Sequence, residues 1–286
     1  MIALRDHRDE LLNFIDYSLR EDVGDGDHSS LACIPTDATG QAQLLCKAEG
    51  VIAGLPLAEL IFQQVDPNCR VEYLLKDGDR IKPGDIAFKV TGPSIALLTG
   101  ERLVLNCLQR MSAVATRTRK YQDLLKGLPT KVLDTRKTTP GLRLLEKYSV
   151  QVGGGMNHRF GLYDMVMLKD NHLDFAGGIA PAIEKTKKYL TAKGKDLKIE
   201  VEARDLNEVR EILAVGGVHR IMLDNFNYND TRKAVALIAG RCEIESSGGI
   251  TEETIREYAE CGVDFISVGA LTHSMYNLDM SLKAAE

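Results

Sequence analysis

Short apolar runs separated by amphipathic stretches dominate the second half of the chain. Six of them, KVLD (131–134), MVML (165–168), IEVE (199–202), RIML (220–223), CEIE (242–245) and FISV (265–268), have the length and branched content of buried strands. Between several of them apolar positions return at helical spacing, as in Leu206 to Val215 and Glu252 to Ala259. Parallel strands need a crossover and a helix supplies it, so the alternation predicts a parallel α/β sheet. The number of repeats favours a barrel, an incomplete one included. The structural rival is a doubly wound dinucleotide fold. It is weakened because no G-x-G-x-x-G follows an early strand, and Gly153-Gly154-Gly155 lacks that spacing.

The first half reads differently. Leu4, Leu11, Leu12, Phe14, Ile15 and Leu19 fall at helical spacing and predict an amphipathic first helix. From 41 to 92, strand-like runs (AQLLCKA, RVEYLL, DIAFKV) alternate with turns such as Asp77-Gly78-Asp79 and Lys82-Pro83-Gly84-Asp85. Residues 94–126 return to helical spacing, with Gly100 predicted to break the helix before ERLVLNCLQRMS. The expected fold class is therefore α/β, an incomplete parallel α/β barrel preceded by a smaller α+β domain. Its domains are placed at 1–112 and 113–275, with the tail 276–286 a candidate to pack back on the first.

Composition narrows the function. With 44% apolar and 27% charged residues the chain can bury a large core, and disorder is not expected. The net charge of −5 gives the whole molecule no case for coating nucleic acid or acidic lipid. Charges enter every turn of the first twenty residues, and no run approaches the roughly 18 apolar residues of a spanning helix, so a soluble protein without membrane partner is expected. Six scattered cysteines without a C-x-x-C pair point to a reducing cytoplasm. The turn REDVGDGDHSS fails as a calcium loop, because Cys33 stands where a bidentate glutamate is needed.

In a barrel, chemistry collects where the strands end. KVLD is followed by Thr135, Arg136, Lys137 and Thr138, and MVML by Lys169, Asp170 and Asn171, so both ends are cationic. IEVE closes on Glu202 and RIML runs into Asp224, which makes these carboxylates candidate magnesium partners. CEIE leads to Ser246, Ser247, Gly248 and Gly249, and FISV to Gly269 and Ala270, where backbone N–H groups can meet a phosphate. Residues 101–170 hold thirteen Lys/Arg against six acids, a local charge of +7 that leaves −12 for the rest. Such separation suits a focused anionic pocket inside an acidic protein.

Plainer roles compete for several of these residues. Arg110, Arg117, Arg119, Lys120 and Lys126 lie on one helix and are expected on a solvated face. Arg143 and Lys147 fit a surface role as well as a functional one. Glu200 and Glu243 share strand faces with Glu202 and Glu245, so some of the four are expected in internal salt bridges; Glu202 is favoured for function by its terminal position. His7 and His219 are expected at the surface. His158 stands apart because it neighbours Arg159 in the loop GGGMNHRFG.

Taken together, TRKTTPGLRLLEKYSVQVGGGMNHRFGLYD, LKDNH, IEVEAR, IMLDNF, ESSGGI and ISVGALTHS, with EDVGDGD and GERLVLNCLQRMS before them, resemble the quinolinate phosphoribosyltransferase family over almost the whole chain. The resemblance implies decarboxylating transfer of phosphoribosyl from phosphoribosyl pyrophosphate to quinolinate, with Mg²⁺ as cofactor, in NAD biosynthesis. It implies that Arg136, Arg159 and His158 hold quinolinate. Lys137, Lys169, Glu202 and Asp224 would be catalytic, with Glu202 and Asp224 near the ribose and metal. Ser247, Gly248, Gly249, Gly269 and Ala270 would bind phosphate, and Arg102 would reach the neighbouring site of a homodimer. Between Glu202 and Asp224 the chain is about one residue longer than the family pattern, with His219-Arg220 where small or acidic residues are commoner. Other readings are a related protein associated with molybdenum transport, a Schiff-base barrel using Lys169 or Lys137, and a nucleic-acid module; the last lacks aromatic residues among its cations.

Overall fold

A computed structural model of the chain describes residues 2–285. Along the sequence its strands are β1 (Thr39–Cys46), β2 (Gly50–Val51), β3 (Arg70–Tyr73), β4 (Arg80–Ile81), β5 (Ile86–Pro93) and β6 (Lys131–Leu133). They continue as β7 (Val166–Leu168), β8 (Ile199–Ala203), β9 (Arg220–Asp224), β10 (Glu243–Ser247), β11 (Phe265–Ser267) and β12 (Met280–Ala285). The chain divides into two compact units. One takes in the sequence up to Arg119, Thr138–Gly154 and the chain from Ala270 on; the other is Lys120–Lys137 with Gly155–Gly269.

The first unit carries an antiparallel sheet of order β12-β1-β5-β3 and a two-stranded sheet of β2 and β4. Ala42, Leu44 and Cys46 of β1 alternate inward and are buried, as the two-residue period of a half-buried strand requires. The helix Leu55–Val65 starts at Gly54, where φ is +102°. Its first N–H groups, of Gly54 and Leu55, donate to the Asp77 carboxylate at 2.9 and 3.0 Å, and the Tyr148 hydroxyl donates to the same group at 2.7 Å. Burial pushes that carboxyl upward in pKa while these donors oppose the shift.

The helix Ser94–Leu124 runs straight through Gly100, so the expected break is absent. The glycine serves packing instead: a Cβ there would lie 3.1 Å from the ring of the buried Phe62, and its loss lets the two helices approach.

In the second unit the six expected strands form one wholly parallel sheet of order β6-β11-β10-β9-β8-β7. Helices Asp170–Ala176, Ile179–Ala192, Leu206–Val215, Tyr228–Ile238 and Ile255–Glu260 connect them. The sheet ends at β6 and β7, which do not pair with each other, so this is the incomplete α/β barrel that the alternation predicts. Every residue of β8 is buried. Val201, between Glu200 and Glu202, is fully enclosed and faces away from them, because side chains alternate along a strand. Among the described residues no helix is long and apolar enough to cross a membrane.

Candidate active site

At the end of β6 the chain turns through Asp134, which is fully buried. Its Oδ1 accepts the His158 backbone N–H at 2.8 Å and its Oδ2 accepts the Asn157 side-chain amide at 2.6 Å. The loop 157–159 is thereby tied to the strand that carries Arg136. Arg159 is half-buried and donates through Nη1 to the Met165 carbonyl at 3.2 Å. Burial first, and then Arg136, hold the Arg159 guanidinium below its ordinary pKa, so the two cations lie close enough to repel. Arg136 is exposed and makes no hydrogen bond or ion pair among the described residues. Two guanidinium groups that act on each other in this way suit an anion with more than one acidic group.

Three neighbouring strand ends add a second set of charges. Lys169 follows β7, and its Nζ lies 3.3 Å from Glu202 Oε2 at the end of β8. Burial raises the Glu202 pKa against the pull of Lys169, and Asp224, which closes β9, raises it further. A carboxylate whose charge is disfavoured, with a second acid beside it, is the donor set a hard divalent cation relieves. Mg²⁺ takes one or two carboxylates and completes its shell with water and phosphate oxygens, so Glu202 and the half-buried Asp224 fit it.

The loop after β10 supplies backbone donors. Gly248 has φ of +100°, and a Cβ on it would lie 2.2 Å from Asn225 Oδ1 and 2.9 Å from the Asn225 backbone nitrogen. Asn225, itself at φ +55°, donates its N–H to the Ser247 carbonyl at 2.9 Å and its amide to Asp224 Oδ2 at 2.8 Å. Gly248 is thus the one residue type that lets this loop close on the loop bearing Asp224. Gly248→Ala is expected to destabilise the protein by about 2–3 kcal/mol, since both backbone strain and overpacking act there. A fall in the midpoint of thermal unfolding, matched by weaker phosphate-ester binding, checks this; an unchanged midpoint refutes it.

Most of the expected site residues fall in this unit. Arg136, Lys137, His158, Arg159, Lys169, Glu202, Asp224, Ser247, Gly248, Gly249 and Gly269 all belong to it. The Lys137 N–H caps back onto Thr135 Oγ1 at 3.0 Å, and its side chain is exposed. Arg102 and Ala270 belong to the first unit, with Arg102 exposed on its helix. His158 is buried and turned into the barrel, with Nε2 2.9 Å from Glu200 Oε2 and 3.5 Å from Glu245 Oε2.

Sequence reasoning misses Asp134, although a lone acid closing an apolar strand is the available signal. It also misplaces part of the basic window. Arg110 is bonded to the buried Glu146, and Arg119 donates to the Gly153 carbonyl at 2.9 Å, so neither is simply a solvated charge. Lys147 is fully buried, which removes its surface role. Burial of this kind depends on partners 34 to 36 residues away in sequence, which a helical period cannot reveal.

Cations, paired acids and glycine turns at the carboxyl end of parallel strands define an α/β-barrel enzyme that handles anionic substrates. Comparison with known proteins makes the class particular. The chain belongs to the quinolinate phosphoribosyltransferase family, whose N-terminal domain profile matches residues 27–112 and whose C-terminal domain profile matches residues 114–283. It is 44% identical to the chloroplastic nicotinate-nucleotide pyrophosphorylase [carboxylating] of Arabidopsis thaliana, over 96% of this chain and 82% of that protein. It is 43% identical to quinolinate phosphoribosyltransferase [decarboxylating] 1b of Nicotiana tabacum, with the same coverage. The crystal structure of NadC from Streptococcus pyogenes superposes with a TM-score of 0.90 at 40% identity, covering 96% of each chain.

Proposed function

We propose that the protein transfers the phosphoribosyl group of phosphoribosyl pyrophosphate to quinolinate, releasing pyrophosphate and CO₂ and forming nicotinate mononucleotide for NAD biosynthesis. The observation that carries this reading is the pair of cations after β6, Arg159 bonded to the Met165 carbonyl and the exposed Arg136, which act on each other electrostatically. A monocarboxylate leaves such a pair half-neutralised, whereas the two adjacent carboxylates of quinolinate match both forks. Relatives named for quinolinate or for nicotinate nucleotide support the same substrate.

The residues divide the work. Arg136 and Arg159, with His158 behind them, orient the pyridine nitrogen toward C1′ of the ribose, so that the N–C1′ bond forms as the bond to pyrophosphate breaks. Lys137 and Lys169 face the charge that grows on the leaving oxygens, while Glu202 and Asp224 would hold the ribose hydroxyls or the metal. Mg²⁺, held by Glu202 and Asp224, would supply charge compensation to the pyrophosphate. The backbone of Ser247, Gly248, Gly249 and Gly269 receives the 5′-phosphate. Once the ring nitrogen is ribosylated it is cationic, and the electron pair left on C2 by departing CO₂ is stabilised by that adjacent charge until a proton replaces it. No organic cofactor is required.

Two finer assignments accompany the reaction. Arg102, exposed on its helix, completes the neighbouring site of a homodimer. The protein works in the cytoplasm, a placement supported by six free cysteines, four of them buried, that suit a reducing compartment. Its domains are drawn at 1–112 and 113–275, with the tail 276–286 returning to the first.

Ultraviolet detection of nicotinate mononucleotide, with quinolinate and nicotinate compared, tests the function. Turnover of quinolinate alone is expected, and equal turnover of nicotinate refutes the diacid site. A chelator titration of the same assay tests the metal: activity is expected to vanish with excess chelator and return with Mg²⁺, and full activity in chelator removes the metal from the mechanism.

A further inference from the structure

We propose that Arg220 is a positioning residue for Arg159, acting through the buried carboxylates of Glu200 and Glu245 on the ring of His158. The inference rests on the quinolinate role given to Arg159 above. It starts from strand register. Glu200 on β8, Arg220 on β9 and Glu243 on β10 stand opposite one another across adjacent strands, and Glu202, Met222 and Glu245 form the next row. Side chains in register on one face are neighbours, so the sequence places an arginine among acids inside the barrel.

The guanidinium is held on several sides. Nε and Nη2 of Arg220 donate to Glu243 Oε2 at 3.1 and 2.9 Å, Nη1 donates to Glu245 Oε2 at 3.0 Å, and Glu200 Oε2 lies 3.9 Å away. The Phe265 ring covers it at 4.2 Å from the centroid. Glu200 and Glu245 are fully buried. The same two Oε2 atoms that face Arg220 also face His158 Nε2, at 2.9 and 3.5 Å. One pair of carboxylate oxygens therefore joins a guanidinium to an imidazole.

From the imidazole the connection continues to the site. His158 Nδ1 accepts the Arg159 backbone N–H at 2.7 Å. A ring nitrogen that accepts carries no proton, so the ring proton sits on Nε2, the atom 2.9 Å from Glu200 Oε2. The ring keeps this carboxylate contact and the Arg159 bond together in this orientation, and Asp134 fixes the same residue through its backbone N–H. Two neighbouring buried carboxylates repel each other, and Arg220 supplies the cation that keeps them together. Without it they separate or draw in water, the ring loses its fixed carboxylate contact, and the backbone of Arg159 loses its support from behind. Ligand atoms of His158, Glu200 and Glu245 also lie within 4.8 Å of one another, a spacing a metal ion could use, but both carboxylates already face the Arg220 guanidinium.

The test uses the full-length enzyme with Arg220→Met, which keeps an unbranched stem and removes the charge. The expected result is a rise of at least about tenfold in the KM and calorimetric Kd for quinolinate, with the KM for phosphoribosyl pyrophosphate unchanged, because only one substrate depends on Arg159. Val201→Ala, which destabilises the neighbouring strand β8 without touching the charges, is expected to move neither KM. Arg220→Lys should recover part of the quinolinate affinity. If Arg220→Met fails to fold, Glu243→Gln loosens the guanidinium from its more exposed side, and a rise of about threefold in quinolinate KM alone is expected. Unchanged quinolinate binding in whichever of these variants folds, an equal rise for both substrates, or stoichiometric Zn²⁺ binding by the wild type that is lost in Glu245→Gln would overturn the proposal. Failure of the wild type to turn over quinolinate would overturn the substrate reading itself, and the inference with it.

Discussion

Arg136→Lys is expected to lower kcat/KM for quinolinate by about a hundredfold or more, while leaving the thermal midpoint within a degree or two of the wild type's. Lysine keeps the charge, so a purely electrostatic role predicts almost no loss. The planar fork is what disappears. Each charge-assisted hydrogen bond to a carboxylate contributes about 1.5–3 kcal/mol, and a hundredfold corresponds to about 2.7 kcal/mol, so losing one tine and the fixed geometry of the other suffices. Stability is spared because Arg136 is exposed and holds nothing in the fold among the described residues. Arg159 differs: it is half-buried and bonded to the Met165 carbonyl, so Arg159→Lys should lose both affinity and some stability. Steady-state kinetics on both variants, with thermal melts alongside, separate the two cases. Wild-type kinetics in Arg136→Lys would sink the assignment of quinolinate to this pair.

Much of this site is legible in sequence because a parallel strand hands its terminal residues to one end of the sheet. Once KVLD, MVML, IEVE and RIML are read as strands, Arg136, Lys169, Glu202 and Asp224 follow by position alone, and the structure places Lys169, Glu202 and Asp224 at the ends of three consecutive strands of the sheet. What sequence does not carry is lateral register. Glu200, Arg220 and Glu243 look like three unrelated charges until the β8–β9–β10 pairing sets them in one row. Helical periodicity fails in a related way at Gly100, where a local rule says break and a tertiary neighbour, Phe62, explains the glycine. The inward turn of His158 is equally invisible, since it is dictated by an Asp134 carboxylate 24 residues earlier.

The largest expected stability effect lies in the first unit, at Arg110. Its Nε and Nη2 donate to Glu146 Oε1 at 3.0 and 2.7 Å, and Nη2 also reaches Thr139 Oγ1 at 3.1 Å and the Thr272 carbonyl. The Glu146 side chain is fully enclosed, whereas that of Arg110 keeps 20% of its surface exposed. Arg110→Met therefore leaves a dry carboxylate held at 3.1 Å by the Thr139 N–H, from the loop that the arginine also braces. Stranding one partner of a buried pair costs about 3–5 kcal/mol, a large part of the 5–15 kcal/mol that holds a typical domain together. Removing both charges is a different experiment. In the double variant Arg110→Met with Glu146→Leu no charge is left unpaired, and most of the loss should return, because an apolar pair avoids the desolvation that the ion pair had to overcome. Urea melts of the two single variants and the double variant decide it. If the double variant is as unstable as Arg110→Met alone, the arginine stabilises through Thr139 and Thr272 rather than through Glu146.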